Sequence, residues 1–117
     1  MPDLRKIIHQ IIPALVSLAF LAAGLSKLAG AEMMVQTFDT LGFGQWFRYL
    51  TGLVEISAVI LLWLPGKRAW GAALLVATML GAVASHFLII GPSAMPATVL
   101  GLLSALILYQ NRDQLQL

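Results

Sequence analysis

The chain has 117 residues, of which 60% are hydrophobic and only 10% are charged, and its formal net charge is +2. Its mean hydropathy is +0.91. A soluble domain carries about 25% charged residues, so this composition excludes a water-soluble globular protein and predicts a single-domain integral membrane protein. The small basic excess is typical of loops beside membrane spans, and it gives no support for nucleic-acid binding.

Several classes of chemistry are excluded by what the chain lacks. It contains no cysteine, which rules out disulfide exchange, thiolate catalysis and iron–sulfur ligation. Its two histidines, His9 and His86, lie on separate apolar segments, and the sequence has no HExxH motif and no glycine-rich phosphate-binding motif. We therefore expect no metal site and no intrinsic cofactor, and any redox role requires a bound or partner-supplied group.

Four apolar runs approach the roughly 20 residues that a helix needs to cross a bilayer. They cover residues 7–28, 47–64, 69–90 and 93–109. Pro65-Gly66 and Gly91-Pro92 end the second and third runs. The first run is longer than the apolar region of a signal peptide, so we expect it to stay in the protein. The sequence predicts an all-α membrane protein, a bundle of four transmembrane helices.

The basic residues predict the orientation of this bundle. Five of them fall on one side of a four-span arrangement: Arg5, Lys6, Lys67, Arg68 and Arg112. Only Lys27 and Arg48 fall on the other side. Because basic loops stay in the cytoplasm, both termini and the turn at residues 65–68 are expected there, in a bacterial inner membrane.

Residues 31–46, between the first two runs, mix polar and apolar positions and end in the helix-breaking Gly42-Phe43-Gly44. This pattern is typical of a short amphipathic helix in the outer membrane interface, and the alternative is a segment that caps the bundle and closes a cavity. Five aromatic residues are interpreted as belts at the two interfaces: Trp46, Phe47 and Tyr49 outside, and Trp63 and Trp70 inside.

Small residues recur at every fourth position in the last two runs. They are Ala73, Ala77, Gly81 and Ser85 in the third run, and Ser93, Ala97, Gly101 and Ala105 in the fourth. Small residues let helices approach closely in lipid. We interpret both stripes as the contact between the third and fourth spans of one chain, with a homo-oligomer interface as the alternative.

A few ionisable residues lie inside the apolar runs or at their rim, and three of them form the candidate cluster: Lys27, Glu55 and His86. His9, near the inner rim, is expected to be inert. A rise of about 1.5 Å per residue places Glu55 near the bilayer midplane and Lys27 and His86 in the outer part. A carboxylate at mid-depth is costly unless it is protonated, paired or facing a cavity, so Glu55 is the leading candidate for a ligand-binding or proton-linked residue. Thr51 and Ser85 are expected to add hydroxyl groups at the same level.

A purely structural alternative stays open for each of the three. Lys27 would extend to the headgroups, His86 would bond a backbone carbonyl at a helix end, and Glu55 would tie the second span to the first through Lys27. In the ligand-binding interpretation, the acid and the imidazole hold a lipid-soluble carbonyl compound such as a quinone and supply the protons that its reduction consumes.

A series of short motifs follows this pattern along the chain. They are GLSKL at residues 24–28, Phe38 with Leu41-Gly42, LTGLVEI at residues 50–56, MLGAVASH at residues 79–86, and the prolines Pro92 and Pro96. In this order and spacing, over about residues 12–110, they resemble the DoxX-like family of small membrane proteins. The resemblance implies a four-helix membrane bundle in which Lys27, Glu55 and His86 occupy recurring polar positions.

The family takes its name from a subunit of a thiosulfate:quinone oxidoreductase, and some relatives belong to membrane redox complexes. The resemblance therefore implies a subunit of a membrane oxidoreductase system, with a redox subunit as partner and a quinone as ligand, and it assigns no catalytic residue. The second interpretation is a non-catalytic scaffold or assembly protein whose polar cluster locks the bundle. The third is a proton or small-solute carrier.

Overall fold

A computed structural model describes residues 3–91 and 93–115, and every regular element in those two ranges is helical. The elements are α1 (Leu4–Ala29), α2 (Glu32–Leu41), α3 (Gln45–Trp63), α4 (Arg68–Ser85), which continues as a π-helical turn (His86–Ile90), α5 (Met95–Gln110) and a final 3-10 turn (Arg112–Leu115). The predicted all-α class is confirmed. Pro92, which the sequence places at the end of the third run, lies outside the described residues.

Three helical segments are long and apolar enough to cross a membrane: α1, α3, and α4 with its π turn. The chain is therefore a multi-pass membrane protein. The fourth predicted run forms α5, an apolar helix of 16 residues. At about 1.5 Å per residue α5 is about 24 Å long, which is less than the roughly 30 Å of the hydrocarbon layer.

Local sequence signals explain where α1 and α2 begin and end. Asp3 Oδ1 accepts a hydrogen bond from the backbone N–H of Arg5 at 2.9 Å, so Asp3 caps the start of α1. Gly30 ends α1 with φ +74° and Gly42 ends α2 with φ +82°, both left-handed conformations that suit glycine. These two turns fold α2 over the end of the bundle where α1 finishes and α3 starts, which we call the α2 end.

The long helices form a ring in the order α1, α3, α4, α5, and α5 closes the ring against α1. At the α2 end, α2 packs against α3 and the π turn. At the opposite end, which we call the turn end, residues 64–67 join α3 to α4. The buried centre of the ring contains Val16, Phe20, Leu62, Leu75 and Ile107.

The backbones of α1 and α3 approach closely at two glycines. A Cβ atom on Gly52 would lie 3.0 Å from the carbonyl oxygen of Gly24, and one on Gly24 would lie 3.2 Å from the carbonyl oxygen of Gly52. Leu28 packs beside Gly52 and Ile56 beside Gly24, so the two helices are antiparallel. This glycine crossing holds α1 and α3 together in the half of the bundle nearer the α2 end.

The contact between α3 and α4 is close at the turn end and opens toward the α2 end. A Cβ atom on Gly71 would lie 2.5 Å from the carbonyl oxygen of Ala58, so the two helices touch there. Ten residues further along α4, no atom lies within 4 Å of where a Cβ on Gly81 would be. The two helices therefore diverge and leave space between them at the α2 end.

This divergence corrects part of the interpretation of the small-residue stripes. On α5, a Cβ atom on Gly101 would lie 3.2 Å from the Cβ of Met79, so this stripe does pack against α4. The α4 stripe does not mirror it, because Ala77, Gly81 and Ser85 line the space between α3 and α4. The packing interpretation is wrong for Gly81, since no neighbouring helix lies within 4 Å of its Cβ position. A repeat of small side chains is equally suited to lining a gap.

Candidate functional site

Lys27 of α1 and Glu55 of α3 form an ion pair, with 2.7 Å between Nζ and Oε1. Glu55 lies next to the middle residue of α3, and its side chain is only 1% exposed. Its Oε1 is fully enclosed and accepts no hydrogen bond of ordinary geometry from the described residues, so the ammonium group of Lys27 is its charge partner. The Lys27 side chain is 12% exposed. The pair connects α1 to α3 at the depth where an unpaired charge is most costly.

The glycine crossing explains how Lys27 reaches Glu55. Lys27 is three residues beyond Gly24, and Glu55 is three residues beyond Gly52, on antiparallel helices. The Cβ of Lys27 lies 3.1 Å from where a Cβ on Gly52 would be. Because Gly52 has no side chain, the lysine stem lies along α3 and places its ammonium beside the carboxylate.

A cavity of about 670 Å³ occupies the space where α3 and α4 diverge. All five residues that the sequence singled out line it: Lys27, Thr51, Glu55, Ser85 and His86. Its volume is within the roughly 300–1,000 Å³ of small-molecule sites. The structure therefore places the ion pair, the imidazole and both hydroxyl groups around one space.

Helix α2 covers this cavity, as the second alternative for residues 31–46 anticipated. Met34, Phe38 and Leu41, at helical spacing, all line it, and Phe38 is buried. The ring of Phe38 is 5.9 Å from that of Phe47, and the ring of Phe43 is 5.7 Å from Phe47, measured between centroids. These side chains form an apolar cover that the sequence analysis did not assign to the site, although the spacing of the α2 residues was a usable signal.

The belt interpretation is wrong for Phe47, because its ring lines the cavity and packs under α2. Aromatic residues at the start of an apolar run look alike in sequence, whether they face headgroups or a neighbouring helix. Trp46 is 63% exposed and Tyr49 is also exposed, and both positions suit a belt.

The hydroxyl groups of Thr51 and Ser85 both donate hydrogen bonds to backbone carbonyls of their own helices. Thr51 Oγ1 donates to the carbonyl of Phe47 and Ser85 Oγ to the carbonyl of Gly81, each at 2.8 Å. A hydroxyl that donates to its own helix still has lone pairs, so Thr51 and Ser85 present acceptors to the cavity.

His86 has a backbone partner, as the structural alternative expected. Its Nδ1 lies 3.2 Å from the carbonyl oxygen of Gly91, the residue that follows the π turn. A carbonyl only accepts, so Nδ1 is the donor in this contact, and Nε2 is left for a ligand. Lys27, with one of its three N–H groups directed at Glu55, retains two donors. The site thus combines a buried donor with several acceptors.

Arg48 is the residue near the site that the sequence analysis interpreted differently. The sequence places Arg48 among the charges of the outer face, yet it is only 5% exposed. Its Nη1 donates to the carbonyl oxygen of Lys27, and its Nε donates to Gln45 Oε1 at 2.8 Å. Gln45 in turn donates to the carbonyl of Val35 on α2 at 3.0 Å. Arg48 therefore fixes the end of α1 that carries Lys27. Its position inside the second apolar run was the sequence signal that could have indicated burial.

No ligand set for a metal ion is assembled in the parts of the chain that the structure covers, where three or more His, Cys, Asp or Glu side chains never converge. The polar groups of the cavity are one ammonium, one carboxylate, one imidazole and several hydroxyl groups. This set is suited to hydrogen bonding with a small molecule and to proton exchange.

Comparison with known proteins agrees with this architecture. Neither the comparison with curated proteins nor that with solved structures gave a match. The DoxX-like family matches over residues 11–108, a range that includes Lys27, Glu55 and His86 and all the long helices except their outermost turns. The chain belongs to the DoxX-like family.

Proposed function

We propose that this protein binds a lipophilic small molecule with a carbonyl-bearing head, such as a quinone, as a subunit of a membrane oxidoreductase system. One observation carries the proposal: the buried Lys27–Glu55 pair forms part of the wall of a largely apolar cavity of about 670 Å³. An ion pair that only fastens two helices needs no cavity beside it. Apolar walls with a few convergent polar groups are the usual form of a small-molecule site.

Each polar residue has a defined part in this proposal. The two remaining donors of Lys27 bind a ligand carbonyl, and Glu55 holds the ammonium in place and balances its charge. Nε2 of His86 and the hydroxyl oxygen of Thr51 accept from O–H groups of the reduced ligand. A quinone takes up two electrons and two protons on reduction. Because the chain contains no cysteine, electrons would come from a redox partner subunit, while these side chains bind the head and exchange protons.

We also propose that all four long helices cross a bacterial inner membrane, with both termini in the cytoplasm. The distribution of the basic residues, five against two, supports this orientation. Arg48 and Lys27, which counted against it, are both engaged within the protein at the α2 end. Lys67 is exposed at the turn end. The shorter α5 would cross with local thinning of the bilayer, which costs only a fraction of a kcal/mol per Å of mismatch.

A binding titration tests the ligand proposal. The protein in lipid nanodiscs is titrated with a quinone that carries an alkyl tail, and binding is followed by quenching of tryptophan fluorescence. We expect saturable binding that is lost in Lys27→Met and retained in the control Lys67→Met, which makes the same change at an exposed lysine. Absence of saturable binding by the natural protein, or equal binding by both variants, would overturn the proposal.

A scaffold role is the second candidate, and the enclosure of Glu55 Oε1 favours it, because the pair directly links α1 to α3 inside the bundle. The charge-free double variant Lys27→Met/Glu55→Gln separates the two functions, since it leaves no unpaired charge in the bundle. Under the ligand proposal this variant folds and fails to bind quinone. Under the scaffold proposal neither the natural protein nor the double variant binds quinone.

A further inference from the structure

The cavity has an opening in the middle of the membrane-spanning segments. Ala77 and Gly81 lie near the centre of the segment Arg68–Ile90, and both are exposed although they line the cavity. Leu50 faces them from α3, lines the same cavity and is 45% exposed. Residues at mid-span depth that are exposed in a membrane protein face hydrocarbon. The gap between α3 and α4 therefore opens sideways into the bilayer.

Packed side chains restrict the cavity in three other directions. At the turn end, α3 and α4 meet at Gly71 and leave no room for a side chain. At the α2 end, the buried Phe38 and its contact with Phe47 cover the cavity. On the α1 side, the cavity ends at the Lys27–Glu55 pair. A molecule whose head reaches this pair can therefore extend the rest of its length through the gap between α3 and α4.

The small residues of α4 give this opening its width. Ala77 and Gly81 are one helical turn apart on the same face, and nothing lies within 4 Å of where a Cβ on Gly81 would be. Lys27, whose side chain is 12% exposed, and Glu55 line the same cavity, so the opening leads to an ion pair and not to a plain apolar recess.

From these observations, and resting on the ligand proposed above, we propose that Ala77 and Gly81 form a lateral trough that holds the hydrocarbon tail of the ligand. The site would thus select amphiphiles with a carbonyl head and a linear alkyl or isoprenoid tail, taken up from within the bilayer. Ala77 and Gly81 are specificity-determining residues in this proposal, and they act on the tail rather than on the head.

Narrowing the trough tests this selection. Ala77→Leu fills it, and Ala84→Leu is the matched control, because Ala84 is exposed on the same helix and does not line the cavity. Two probes with the same quinone ring are compared, one with a ten-carbon alkyl tail and one with a methyl group in its place. Because the tail enters from hydrocarbon, it gains van der Waals contact with the trough and no transfer energy from water, so a leucine side chain that fills the trough is expected to weaken binding of the tailed probe by about threefold or more.

We expect Ala77→Leu to show this loss for the tailed probe with less than about a twofold change for the tail-free probe, and Ala84→Leu to bind both as the natural protein does. Unchanged binding of the tailed probe by Ala77→Leu, or an equal loss for both probes, would overturn the tail assignment while leaving the head site intact. No binding of either probe by the natural protein would instead refute the ligand proposal. If Ala77→Leu does not fold, Gly81→Ala narrows the trough by one methyl group and is expected to reduce tailed-probe affinity by about twofold, with no change for the tail-free probe.

Discussion

The stem of Lys27 lies directly across Gly52, with its Cβ 3.1 Å from where a Cβ on that glycine would be. The close approach of α1 to α3 and the buried ion pair are therefore one arrangement. Gly52 makes room for the lysine stem, and the stem delivers a positive charge to the one carboxylate in the middle of α3. A change at Gly52 should consequently affect both helix packing and the polar end of the cavity.

We expect Gly52→Ala to lower the free energy of unfolding by about 1–3 kcal/mol, the usual cost of overpacking a tight contact. The added methyl group would meet the carbonyl oxygen of Gly24 at 3.0 Å and the Lys27 stem at 3.1 Å. Gly81→Ala is the matched control, because that position is open and alanine favours a helix by about 1 kcal/mol over glycine. Equilibrium unfolding in mixed micelles measures both, and equal effects of the two changes would contradict the close crossing.

The Lys27–Glu55 pair should show strong coupling in a double-mutant cycle. Removing either partner alone leaves a buried unpaired charge and is expected to cost about 3–5 kcal/mol. The double variant Lys27→Met/Glu55→Gln should cost much less than the sum of Lys27→Met and Glu55→Gln, since neither charge remains. The cycle is measured by the same unfolding equilibrium. Additive effects would show that the two side chains do not pair in the folded protein.

Arg48 should not be replaceable by lysine. Its guanidinium donates through two different nitrogens, to the carbonyl of Lys27 and to Gln45, and a lysine ammonium does not match that geometry. We expect Arg48→Lys to destabilise the protein by about 2 kcal/mol, because a buried acceptor loses its charged donor. Arg112→Lys, at an exposed arginine, is the control and should change stability by less than about 0.5 kcal/mol. Similar stability of both variants would refute the conclusion that the hydrogen bonds of Arg48 hold the end of α1 in place.

The indole of Trp63 should contribute a specific link between α1 and α3 near the turn end. Its Nε1 donates to the buried hydroxyl of Ser17 at 2.8 Å. Trp63→Phe is expected to cost about 0.5–1 kcal/mol more than Trp70→Phe, because no hydrogen bond of the Trp70 indole is found among the described residues. In the background of Ser17→Ala, which removes the acceptor, this difference should disappear. If it persists, the hydrogen bond is not its source.

The helices and the polar cluster were predictable because long apolar runs are distinctive in a sequence, and the few polar residues inside such runs stand out. The four apolar runs match the long helices to within three residues at each end. Lys27, Glu55 and His86, which lie inside the apolar runs or at their rim, indicated a polar cluster. All three line one cavity. A carboxylate at the middle of the bilayer needs a proton, a charge partner or a cavity. The polar residues at a similar depth on other helices are therefore its expected neighbours.

What escaped prediction depends on distances between helices. Periodicity cannot distinguish Gly101, which packs against Met79, from Gly81, which faces an open space. It also cannot show that Phe47 faces α2, or that Arg48 is buried under the end of α1, because both depend on how α2 folds back after Gly30. The cavity itself arises from the divergence of α3 and α4, and no local pattern encodes that angle.

Photolabelling tests most directly whether this cavity holds a lipophilic ligand. The protein in nanodiscs is irradiated with an azido-substituted, alkyl-tailed quinone, and the labelled peptides are mapped by mass spectrometry. We predict label on the cavity segments of α2, α3 and α4, including residues 50–55 and 77–86, and loss of that label when excess unlabelled quinone is added. Label that persists under competition and spreads over lipid-facing residues such as Leu18 and Leu102 would contradict the proposed site.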